Sequence, residues 1–178
     1  MDHSPAAPDY DADETLIVSG TEQLRALADD VRARIVSLLR LRALSATELG
    51  ELMGMPKGTV GHHLKVLEKA GLVRVVRTRK VRAITERIYG RTARLFLIKS
   101  EDELVHGVAA ASFGVVGQEL GASPRIAMNG HVRVRLDRKA VARFNRRLDK
   151  LIDDLRAGET AEGETWAVAA AMYRVAER

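Results

Sequence analysis

The chain of 178 residues contains no cysteine, which removes disulfides, thiolate metal sites and a cysteine nucleophile from consideration. No apolar run approaches the roughly 18 residues that a membrane span requires. No secretory signal pattern opens the chain, so a cytoplasmic protein without a membrane partner is expected. Catalytic signatures are missing too. No Gly-x-Gly-x-x-Gly, Gly-x-Ser-x-Gly or His-Glu-x-x-His occurs, and Gly54-Met55-Pro56-Lys57-Gly58-Thr59 has the wrong order and spacing for a phosphate loop. His62 and His63 are adjacent, about 100° apart on a helix, and do not easily share a metal. The expectation is a protein that is not an enzyme and carries no cofactor.

Charge of one sign is absent from the first segment. Residues 1–14 hold Asp2, Asp9, Asp11, Asp13 and Glu14 but no Lys or Arg. With Pro5 and Pro8 nearby, residues 1–18 read as a disordered acidic tail. What that segment lacks is concentrated elsewhere. Between Lys57 and Arg94 eleven basic residues face two acids, Glu68 and Glu86, although the net charge of the whole chain is only +5. Such a run is the footprint of a polyanion partner where it coincides with a docking motif, and plain solvated surface where it does not.

The periodicity supplies the motif. Thr21 can cap a helix containing Leu24 and Leu27, and Asp29 or Asp30 the next, with Val31, Ile35, Leu38 and Leu39 on one face. Ser45 caps a third helix that ends at Gly54. Pro56 suits the first turn of a fourth, which stops at Gly71. Two β-rich runs, residues 73–77 and 83–89, then flank a basic stretch and read as a hairpin. Its tip lacks Gly, Asn and Asp, so a loop longer than two residues is expected. Three helices, a turn, a fourth helix and a basic hairpin are the parts of a winged helix-turn-helix.

Within this unit Gly50 supplies a small residue where two helices cross closely. Val60, Leu64 and Leu67 share the inward face of the fourth helix. Lys57, Gly58, Thr59, Gly61, His62 and Lys65 are then candidates to enter a major groove. His62 can donate to a phosphate or base edge, and Thr59 can do so while its methyl meets a thymine. Gly58 and Gly61 let backbone approach closely, at a cost of roughly 1 kcal/mol each in helix stability. His63 is a candidate contact as well, although packing beside Leu64 is the simpler role for it. On the hairpin, Arg77, Arg79, Lys80 and Arg82 would grip phosphates, giving affinity that falls steeply with salt.

The runs Gln23-Leu24-Arg25-Ala26-Leu27-Ala28-Asp29-Asp30-Val31-Arg32-Ala33-Arg34-Ile35 and Gly58-Thr59-Val60-Gly61-His62-His63-Leu64-Lys65-Val66-Leu67-Glu68-Lys69-Ala70-Gly71-Leu72-Val73 resemble the ArsR family. That family typically carries Ser-Thr-Val-Ser-His-His-Leu-Lys-Val-Leu followed by Ala-Gly-Leu-Val, and glycines stand here for both serines. The resemblance covers about residues 21–98. It implies a homodimer on a palindromic double-stranded operator, usually as a repressor. Many members sense metals through cysteines, absent here, or through Asp and His on the helix after the wing. Asp102 and His106 are four residues apart, but nothing nearby completes a ligand set, and an exposed Asp–His pair is expected rather than a metal site.

The last eighty residues differ in character. A helix from Glu101 to about Leu120 is rich in small residues and suits close helix approach at a dimer interface. A strand over residues 131–136, a helix capped by Asp137 with Val141, Phe144, Leu148, Leu151, Ile152 and Leu155 in a stripe, and a strand over residues 165–175 make a strand–helix–strand unit. A small-molecule effector beside Phe113, Trp166 or Met172 is an open reading, with core packing as its plainer alternative. The expected architecture is α+β: an acidic tail at 1–18, a winged helix-turn-helix at 19–98 with recognition helix 57–70 and wing 73–89, and a dimerisation and effector segment at 99–178. The rival is a winged-helix module for protein or RNA contact, which salt-dependent, sequence-selective duplex binding would separate.

Overall fold

In the computed structural model the elements run, in chain order, β1 (Asp13–Val18), α1 (Thr21–Leu27), α2 (Asp30–Leu38), β2 (Leu44–Ser45), α3 (Ala46–Met53), α4 (Lys57–Lys69), β3 (Val73–Val81), β4 (Ile84–Arg91), β5 (Ala93–Ile98), α5 (Leu104–Ala122) and α6 (Arg138–Ala157). The structure describes residues 8–81, 84–98, 100, 102–160 and 164–174. These fall into two units, one ending at Ala122 and the other beginning at Ser123.

Helix starts follow from side chains that satisfy amides left without an intrahelical partner. Asp29 accepts from the Arg32 amide at 2.9 Å and opens α2. Ser45 and Glu48 form a reciprocal capping box that opens α3, the Glu48 carboxylate accepting from the Ser45 amide at 2.7 Å. Gly54 ends α3 in the left-handed region, at φ 65°. Leu24, Ile35, Leu39, Leu49, Val60, Leu64, Leu67 and Leu72 are fully buried. Each such side chain contributes about 1.5–3 kcal/mol by leaving water.

The sheet beside this helical core has the order β2-β4-β3, all antiparallel. The hairpin pairs up to Val81 and Ile84, so only residues 82 and 83, which lie outside the described residues, connect its strands. The connection is therefore shorter than the expected loop. Ladder bonds and the cross-strand pairs Arg79–Glu86 and Lys80–Thr85 carry the hairpin to its end without special turn residues.

Further expectations are corrected. Residues 8–18 are not a tail: β1 pairs in parallel with β5, and Val18 is fully buried. The run Thr15-Leu16-Ile17-Val18 is strand-forming, and that local pattern outweighs the acids around it. Tyr10 ties the chain down ahead of β1, its hydroxyl donating to the Leu39 carbonyl and accepting from the Arg91 amide at 3.0 Å. Its ring occupies the space over Gly90, where an added Cβ would lie 2.7 Å from ring atoms.

The boundary expected at residue 98 falls instead after α5. Gly107 brings α5 against α1 and α2, since an added Cβ there would stand 3.0 Å from the Ala28 Cβ, and Val108 and Ala111 are buried. The described helix runs from Leu104, whose amide donates to Asp102 at 2.9 Å; Glu101, where its start was expected, lies outside the described residues.

The second unit contains α6, opened by Asp137 accepting from the Ala140 amide at 2.6 Å. The α+β class stands, but the two expected strands of this unit do not form: residues 131–136 and the described residues 164–174 have no strand structure. Val132, Val134, Trp166 and Val168 are exposed. A strand is held by a neighbour's backbone, and among the described residues neither segment has one.

Candidate nucleic-acid interface

The turn between α3 and α4 is built to bring two helices close. An added Cβ on Gly50 would lie 2.7 Å from the Met55 carbonyl oxygen, so no larger residue fits without shifting backbone. The Met55 amide donates to the Gly50 carbonyl at 2.9 Å and closes the turn. Pro56 is the N-cap of α4, one position before the first helical turn. Val60, Leu64 and Leu67 point into the core, and that burial fixes the rotation of α4. Lys57, Gly58, Thr59, His62 and Lys65 are consequently exposed together, with Gly61 half-buried. A Cβ on Gly58 or Gly61 would meet nothing within 4 Å, so the fold does not demand glycine at either position.

His63 is placed differently from its neighbours. Its ring turns back toward α2, with Nδ1 3.8 Å from Asp29 and no hydrogen-bond partner in the described structure. Burial lowers its pKa below the usual imidazole value, against the opposing pull of Asp29. Packing, not the outer face, is where the structure puts it.

The wing does not present all of its cations freely. Arg79 pairs with Glu86 at 2.7 Å and with Glu48 at 3.3 Å, while Thr47 donates to Glu86 at 2.8 Å. These bonds tie the wing to α3, and those from Arg79 and Thr47 hold the Glu86 carboxyl below the usual carboxylate range. A cleft of about 380 Å³ opens there, lined by Glu48, Glu51, Lys57, Arg79 and Glu86 among others. Arg77 lies opposite Ile88, away from the tip, beside an irregularity in the ladder between Val75 and Arg77. Its guanidinium bonds the Asp9 carboxylate at 2.7 Å. Burial would raise the Asp9 pKa, but hydrogen bonds from Arg77 and the Ala43 amide outweigh it, and the net shift is downward. Arg74 donates to the Asp11 carbonyl at 2.8 Å. Lys80 is exposed and has no ion-pair partner among the described residues, and Arg82 lies outside them.

The structure thus gathers Lys57, Gly58, Thr59, His62 and Lys65 on one exposed face of α4, while carboxylates occupy Arg77 and Arg79 on the wing. Sequence reasoning missed Asp9 and Tyr10, which dock on the base of the wing. The expected Asp102–His106 pair is engaged elsewhere: Asp102 accepts from the Leu104 amide at 2.9 Å and from the Thr21 hydroxyl at 3.4 Å, and the His106 ring lies 3.1 Å from the Glu103 carbonyl. No group of three or more His, Asp or Glu among the described residues could hold a metal. Phe113 belongs to the first unit and Trp166 and Met172 to the second, all three exposed. No helix among the described residues is long and apolar enough to cross a membrane.

The helix-turn-helix core, the exposed face of α4 and the adjoining hairpin are those of a DNA-binding transcriptional regulator of the winged helix class. A helix-turn-helix domain family matches residues 27–76. Over 85 residues the chain is 39% identical to the HTH-type transcriptional regulator NmtR of Mycobacterium tuberculosis, an alignment spanning 48% of this chain and 67% of that protein. The chain belongs to the ArsR family of transcriptional regulators. Among solved structures it is similar to the transcriptional repressor BigR from Xylella fastidiosa, with 27% identity, 55% of this chain and 83% of that one covered, and a TM-score of 0.35. It is also similar to a homodimeric winged helix-turn-helix domain from Mycobacterium bovis, with 19% identity, 64% and 85% covered, and a TM-score of 0.37.

Proposed function

We propose that the chain acts as a homodimeric repressor that seats the α4 helices of two copies in successive major grooves of a palindromic operator. The observation that carries this reading is the division of α4. Its Val60, Leu64 and Leu67 face is fully buried, which leaves Lys57, Thr59, His62 and Lys65 on the opposite, exposed face beside a hairpin wing. Thr59 and His62 read base edges, while Lys57, Lys65 and Lys80 meet phosphates. Gly58 and Gly61 allow backbone to approach. Arg77, Arg79 and Arg82 complete the wing's contribution, the first two only after exchanging their carboxylate partners for phosphate. The twofold assembly and the sign of regulation come from the family resemblance, which also implies helices spaced about 34–36 Å apart.

Selection of bound duplex fragments by the purified protein at two salt concentrations tests the reading. Enrichment of a short palindrome that survives the higher salt is the expected result. Against that site, Lys80→Ala weakens operator and random duplex alike and lowers the salt slope by about one. Thr59→Ala or His62→Ala costs about 1–3 kcal/mol of discrimination. Equal losses on operator and random DNA for the His62 variant would sink its base-reading role, and no duplex binding at either salt would sink the function.

A further inference from the structure

Helix α6 carries Val141, Phe144, Leu148, Leu151 and Leu155 at alternating three- and four-residue steps, with Ile152 beside them, in an apolar stripe about 100° wide. None is buried, and Val141, Leu151 and Leu155 are 37%, 48% and 47% exposed. The segments before and after the helix do not close over it as strands, and their own Val132, Val134, Trp166 and Val168 are exposed. Among the described residues, the unit holds the apolar side chains of a core without a second layer to bury them against.

The charges of α6 indicate what the missing layer is. Residues 138–147 carry Arg138, Lys139, Arg143, Arg146 and Arg147 and no acid. Residues 148–157 carry Asp149, Asp153 and Asp154 against Lys150 and Arg156. Cations in the first turns oppose the helix macrodipole, so this distribution penalises α6 as an isolated helix. A second α6 laid parallel would add repulsion between two wholly basic halves. Laid antiparallel, it sets each basic half beside the other's carboxylates and the negative end of its dipole. We propose that α6 pairs antiparallel with the α6 of a second copy of this chain, burying both apolar stripes about an axis near Leu148.

The absence of cysteine gives a clean test in the full-length protein. A disulfide needs Cα atoms about 4.4–6.8 Å apart. Residues 141 and 155 are separated by about 21 Å along a helix at 1.5 Å per residue. Under mild oxidation, Leu148→Cys is expected to run at the mass of two chains. Val141→Cys alone and Leu155→Cys alone stay single, whereas an equimolar mixture of those two variants links. Absence of the Leu148→Cys product overturns the pairing, even where the protein is dimeric, because assembly then uses another surface. Self-linking at both ends overturns the antiparallel direction and indicates a parallel pair. Since the readout is covalent and needs no DNA, it stands apart from the test of operator binding.

Discussion

The two units of this chain use the same kind of helix and obtain opposite results. In the first, α4 alternates apolar and polar positions, and Val60, Leu64 and Leu67 are fully buried because α1, α2 and α3 surround them. In the second, α6 has a clean apolar stripe, yet no described residue of the unit is buried. Amphipathicity therefore specifies which face seeks cover, while burial requires a neighbour to supply it. The first unit finds that neighbour within its own chain. Its core can hold α4 at a fixed rotation, which the proposed groove contact needs.

Truncating a side chain in each unit sharpens this contrast. Leu64→Ala should lower the stability of the first unit by about 2–5 kcal/mol, as expected for a fully buried leucine. Leu155→Ala should leave the melting transition of the first unit unchanged. Thermal unfolding followed by circular dichroism decides, and an equal fall for both variants would break the distinction between the units. Gly50→Ala comes next, because its Cβ must displace the Met55 carbonyl, a steric insertion that costs about 1–3 kcal/mol. Duplex affinity should fall with it, since the α3–α4 turn sets the angle of the reading helix, and unchanged affinity would show that the turn has slack.

The smallest expected effect is with pH. His63 has its pKa lowered by burial, so the unfolded chain binds a proton more readily than the folded one. Stability is retained above the free imidazole value of about 6.5 and declines as pH falls through it. His63→Gln should flatten that decline in melting temperature between neutral and mildly acidic pH, and an unaltered slope would assign it to another group.

Much of the first unit was legible because its signals are local. Asp29 and Ser45 each cap a helix within three residues, and the spacing of Val60, Leu64 and Leu67 names its face without tertiary knowledge. The steric requirement at Gly50 follows from the same short turn. What was not legible depends on distant partners. Arg77 meets Asp9 across 68 residues and Arg79 meets Glu48 across 31, so counting wing charge along the chain overstated what is free. The alternation at Val132, Val134 and Leu136 reports two faces but not an adjacent strand, and without one the segment forms no strand. Residues 8–18 depart from expectation in the other direction. Their acids and Pro8 mask four strand-forming residues whose partner β5 lies far downstream.

That last separation has a consequence in time. The Tyr10 hydroxyl meets the Arg91 amide 81 residues away, and β1 finds its ladder only in β5. At the usual 5–20 residues per second, the ribosome makes β1 roughly 4–16 seconds before its partner. The helix-turn-helix between them relies on nearer contacts and can assemble first. Throughout that interval Leu16, Ile17 and Val18 form an unpaired apolar edge on a nascent chain. The flanking Asp9, Asp11, Asp13 and Glu14 are then gatekeepers, holding a waiting strand apart from other strands until β5 arrives.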